Sequence, residues 1–133
     1  MDFVSIRLIT DDLTRLVGFY ELATGGRAVW STPDFAELVT AKATVAMGST
    51  RTVALFAEGA ARAADNRSVI VEFRADDVDA VHARLVGHVA EVVQAPTTMP
   101  WGNRSLLVRD PDGNLVNFFT PVTPEAVARF APR

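Results

Sequence analysis

Over residues 3–9 apolar and polar positions alternate weakly, with Val4, Ile6 and Leu8 on one side and Phe3, Ser5 and Arg7 on the other, which predicts a strand. The period then changes. Thr10-Asp11-Asp12 supplies N-cap oxygens, and Leu13, Leu16, Val17 and Tyr20 recur at helical spacing until Gly25-Gly26 ends the element. Residues 28–31, 35–40, a short 44–47 and 52–56 read as further strands, punctuated by Thr32-Pro33-Asp34 and Gly48-Ser49, and the whole is taken as one βαβββ unit. Residues 57–67 turn to Ala, Gly and charge without periodicity and read as a loop, the one candidate linker.

Past that loop the pattern restarts. Residues 69–74 read as a strand, Asp76-Asp77 as a cap, and Val78, Val81 and Leu85 as a helical stripe that stops at Gly87. A shift of 65 positions lays Ile6-Arg7-Leu8 on Val71-Glu72-Phe73 and Asp11-Asp12-Leu13 on Asp76-Asp77-Val78. The second unit continues through a strand at 89–93, a PTTMPWGN loop and a closing hairpin. That hairpin carries the clearest turn in the chain: in Asp110-Pro111-Asp112-Gly113, Pro111 presets φ, the aspartates can bond the local backbone and Gly113 accepts positive φ. Leu106-Leu107-Val108 enters the turn and Leu115-Val116-Asn117-Phe118-Phe119 leaves it, with Asn117 set among hydrophobes. A last short helix is expected at 124–130, after Thr123 as N-cap, with Pro124 at N1 and Glu125 in the first turn.

Composition narrows the function classes. With 133 residues, 49% of them hydrophobic and 22% charged, the chain is long enough for one core or two small similar halves. One α+β domain over 1–133 is expected, with modules at about 1–57 and 68–122 joined by the loop 58–67 and followed by a helix over 123–131. The net charge of −3 and the absence of a basic run give no footprint for nucleic acid. Without Cys there are no disulfides, thiolate metal sites or cysteine nucleophiles. The N-terminus lacks the basic region and long apolar stretch of a signal peptide, and no run reaches membrane-spanning length, so no membrane partner is expected and the cytoplasm is the default compartment.

The DPDG turn, the capped strand–helix opening at residues 5–20 and the Trp101-Gly102 to Phe119 segment resemble the vicinal oxygen chelate superfamily of glyoxalases, extradiol dioxygenases, fosfomycin-modifying enzymes and bleomycin-binding resistance proteins. The resemblance implies two βαβββ modules whose curved sheets wrap a cleft, and commonly a homodimer. In the metal-dependent members a glutamate ligand stands four residues after the turn glycine; here that residue is Asn117. Carried over in the same way, the other ligand places are Ser5 on the first strand, Leu55 on the fourth and Ile70 on the fifth. None is a usual strong ligand, and the only histidines are His82, on the second helix, and His88 just beyond it, so neither a metal nor another cofactor is expected.

Counting by twos from those places, the cleft would be lined by Phe3, Ser5 and Arg7; Val53 and Leu55; Ile70, Glu72 and Arg74; and Leu115, Asn117 and Phe119. Such an apolar pocket with few polar groups suits a small organic ligand, and equally a core that has filled a lost site. Trp30, Phe35 and Trp101 could stack on a flat ligand or simply pack. Arg7 and Glu72 hold equivalent places in the two repeats, which the implied pseudo-twofold brings close, either as a structural ion pair or as ligand contacts. An adjacent arginine would lower the pKa of Glu72 and suit it poorly to proton abstraction. Glu37 and Lys42 face either the cleft or solvent. Three readings stay open: a metal-independent, bleomycin-resistance-like binder of a small, largely apolar molecule; a lyase, isomerase or dioxygenase with atypical ligands; and a non-catalytic interaction module.

Overall fold

The N-terminal alternation becomes β1, Ser5–Thr10, and the helical stripe becomes α1, Leu13–Thr24. The computed structural model describes residues 1–132, and its contacts divide them into two compact units, Met1–Asn66 and the stretch from Arg67 onward. The boundary lies within the segment read as a loop.

In the first unit Asp12 caps α1 by accepting from the Arg15 amide at 3.1 Å, and Thr10 Oγ1 in turn accepts from the Asp12 amide at 3.1 Å. Leu13, Leu16, Val17, Tyr20 and Ala23 form the buried stripe. Each of the larger ones contributes about 1.5–3 kcal/mol relative to exposure. They pack over β3 (Phe35–Val39) and β4 (Thr44–Ser49), which with β1 and β2 (Val29–Thr32) make a sheet ordered β1-β4-β3-β2. β1 and β4 run parallel; the other neighbours are antiparallel. Ile6, Leu8, Val45, Met47, Ala36 and Leu38 share the face under α1.

The expected strand at 52–56 is a helix instead: α2, Thr50–Ala54, follows β4 directly, and Leu55 and Phe56 lie just beyond it. The β-branched run Thr52-Val53 satisfied the strand pattern, but local bonds decide otherwise. Thr52 Oγ1 donates to the Ser49 carbonyl at 2.7 Å, and Asp34 Oδ1 accepts from Ser49 Oγ at 2.8 Å and Arg51 Nε at 2.9 Å. β4 is also already flanked by β1 and β3.

The second unit repeats the plan. β5 (Ile70–Arg74) leads to α3 (Val78–Leu85), whose cap Asp77 accepts from the Asp79 and Ala80 amides at 3.1 and 3.2 Å. β6 (Val92–Thr98), β7 (Asn103–Arg109) and β8 (Leu115–Pro121) complete a sheet ordered β5-β8-β7-β6, with β5 and β8 parallel. Val71, Leu106, Val108, Val116 and Phe118 are buried with Val78, Val81 and Leu85 of α3. Thr120 ties the layers by accepting from the Val78 amide and donating to the Ala75 carbonyl, each at 2.9 Å.

β6 begins three residues later than the expected 89–93 strand and runs on through Pro96. It is an edge strand with register shifts on either side of Gln94, so a proline without an N–H is accommodated there. The long expected loop shrinks to a turn at 99–102, closed by the Gly102 amide on the Met99 carbonyl at 2.9 Å. Gly102 has φ +93, and a Cβ there would overlap Thr123 Oγ1, the cap of α4 (Pro124–Arg129). Each unit is therefore βαβββα, α2 and α4 being counterparts.

Candidate functional site

Each sheet has its long helix on one face, so strand parity sorts side chains into those under α1 or α3 and those on the distal face. In the second sheet the distal face carries one row, Glu72, Asn117, Leu107 and Gln94, and a next row, Arg74, Phe119, Ser105 and Thr97. Asn117 Nδ2 donates to Glu72 Oε2 at 2.8 Å. A carboxylate only accepts, so this bond turns the amide nitrogen to Glu72 and leaves Oδ1 as a free acceptor. That Oδ1 is enclosed and has no partner, as are Asn103 Oδ1 and Ser105 Oγ on the same face. Enclosed polar atoms are nearly always paired with protein, water or a ligand. Ile70, Leu115, Leu107 and Phe119 supply the apolar surroundings.

The first sheet's distal face holds Ser5 and Arg7 on β1, Thr44, Ala46 and Gly48 on β4, and Phe35 and Glu37 on β3. The register thus settles Glu37 onto this face, whereas Lys42 lies in the β3–β4 turn. Arg7 places its guanidinium carbon 4.7 Å from the centre of the Phe35 ring and 5.2 Å from that of Phe56. Trp30 pairs with Ala36 and so falls on the α1 side, opposite Phe35. Trp101 is exposed in the β6–β7 turn. Leu55, expected on a fourth strand, is an exposed residue after α2, and Val53 is buried within α2. The fourth strand's place passes to Ala46, which pairs with Arg7 as Asn117 pairs with Glu72. Phe3 lies ahead of β1 and is exposed.

Phe56, Asn103 and Ser105 escaped the sequence reading. The two polar residues were reachable: the DPDG turn fixes Leu107 opposite Asn117, and counting back by twos puts Ser105 and Asn103 on the same face. Nothing in the sequence announced the Phe56 contact. Two charged pairs have perturbed protonation. Arg104 grips Asp79 with two 2.9 Å bonds and holds its carboxyl below the usual range, and Arg51 followed by Ser49 does the same for Asp34. A shallow concavity of about 200 Å³, edged by Arg74, Thr120, Val127 and Phe130, is smaller than usual ligand pockets.

The Glyoxalase/Bleomycin resistance protein/Dioxygenase superfamily pattern matches residues 2–118. The chain belongs to this superfamily. Solved structures share the superfamily fold: a glyoxalase/bleomycin resistance protein/dioxygenase from Nocardioides (21% identity, 93% of this chain and 85% of that one, TM-score 0.72) and a family enzyme from Burkholderia phytofirmans PsJN (18%, 92% and 100%, TM-score 0.78). A glyoxalase-related enzyme from Fulvimarina pelagi is similar too (19%, 90% and 87%, TM-score 0.75). No curated protein matches the chain.

The metal held by many members of the superfamily does not fit the residues here. The first unit offers Ser5 and Ala46 and the second Ile70 and Asn117: two hydrocarbons, a hydroxyl and an amide whose nitrogen is already turned to Glu72. Among the described residues no three His, Cys, Asp or Glu side chains come together.

Proposed function

We propose that this superfamily member binds a small, largely apolar organic molecule without a metal, as a bleomycin-resistance-like sequestering protein, using the distal face of the second sheet. The observation that carries the reading is Asn117 Oδ1, enclosed, unpartnered and held in orientation by the bond from Nδ2 to Glu72. A ligand N–H or O–H would satisfy it, while Ile70, Leu115, Leu107 and Phe119 give the apolar contact that supplies affinity.

The test is a thermal-shift screen of small neutral amides and phenols, followed by calorimetry of the best hit against wild type and Asn117→Leu. Ligand binding to the native state alone raises the melting temperature. The leucine variant should fold with little change and bind more weakly by about 1–3 kcal/mol, since the ligand donor loses its acceptor. Equal affinity in the two proteins, or no hit that raises the melting temperature, would overturn the reading.

A further inference from the structure

We infer that Arg7, with the rings of Phe35 and Phe56 against it, is a receptor for the carboxylate of a small aromatic acid. The guanidinium meets both rings within cation–π range, 4.7 and 5.2 Å from their centres. A guanidinium stacked on a ring keeps its in-plane N–H fork for a second partner. No carboxylate of its own unit takes that fork: Arg7 has no salt bridge there, and the strand neighbour facing it is Ala46. The nearest acid in the row, Glu37, stands one strand further across.

The rings also do the preparatory work. A free arginine loses rotamer freedom when it binds, and contact with Phe35 and Phe56 has already restricted Arg7. Phe56 is 76% exposed, so the cation that meets its ring has an open apolar surface beside it. A fork matched to a planar carboxylate beside an exposed ring is the complement of a benzoate-like acid. The assignment concerns the first sheet and goes beyond the Asn117 reading, so each can fail separately.

The probes are benzoate and its neutral isostere benzamide, titrated into the full chain at low salt and followed by the NMR signals of the Arg side-chain Nε–H groups and by calorimetry. Benzoate should bind at least about tenfold more tightly than benzamide, weaken with added salt and shift the Arg7 Nε–H signal. Arg7→Met should abolish the preference at an unchanged melting temperature, whereas Arg7→Lys should keep a reduced one, having charge without the fork. Phe56→Ala should weaken benzoate binding. Equal binding of benzoate and benzamide, no benzoate binding, or a preference that survives Arg7→Met would overturn the inference. Should Arg7→Met fail to fold, an Arg7 Nε–H signal unmoved by benzoate in the wild type would overturn it as well. Neutral ligands that depend on Asn117 would then leave the earlier reading standing.

Discussion

Gly102 and Gly113 both have positive φ, +93 and +83, yet they answer different demands. Space around Gly113 is open, so a substitution there meets backbone strain alone. At Gly102 a Cβ would also run into Thr123 Oγ1 and come within 3.0 Å of Ala126 Cβ, displacing the cap of α4. Gly102→Ala should therefore destabilise by more than about 2 kcal/mol and loosen α4, while Gly113→Ala should cost about 1 kcal/mol. Urea midpoints of the two variants check the order; equal losses would mean that the Thr123 overlap is relieved without consequence.

Among the elements, α2 is held to its sheet by one carboxylate. Asp34 receives Ser49 Oγ and two nitrogens of Arg51, at 2.9 Å from Nε and 2.7 Å from Nη2. The Arg51 bond, and after it the Ser49 bond, lower the folded-state pKa of Asp34. A lowered carboxylate pKa adds stability that is complete above the unfolded value of about 3.9 and disappears as pH falls through the lower folded value. Asp34→Asn should thus melt below wild type at pH 7, with the gap closing below about pH 4; thermal melts across pH 2–7 show whether it does. The same element marks where sequence reading ran out. Helices with a capping aspartate and a regular stripe, α1 and α3, were legible, as was the hairpin around the DPDG turn. The five residues Thr50-Arg51-Thr52-Val53-Ala54 fit one turn of helix as well as a strand, and what separates the two is the Thr52 bond to the Ser49 carbonyl, the bonds to Asp34 far back in the chain and a β4 already flanked on both sides.

For the whole molecule, the repeat seen at a shift of 65 is structural, since both sheets have the same strand order and both units end in a short helix. Ser5, Ile70 and Asn117 could be placed from sequence because each stands close to a cap or turn that anchors its strand. Ala46 could not, because its place depends on where β4 stops. The resulting donor set predicts that purified protein retains less than about a tenth of an equivalent of Zn, Fe, Mn or Ni after dialysis. Elemental analysis tests this, and stoichiometric metal would refute it.

In each unit the first strand lies beside the last, Ser5 against Thr44 and Ile70 against Leu115, so neither sheet is complete until a long stretch of chain has closed on itself. Loop closure of this kind grows only logarithmically with length, each doubling adding about 0.6 kcal/mol. Helices and hairpins form from near neighbours, whereas this parallel seam must wait for distant ones. The kinetic burden of folding therefore sits at the two seams, and it is the same burden twice. Lengthening the turns between the antiparallel strands would slow the search little, because the closing distance along the chain is already long.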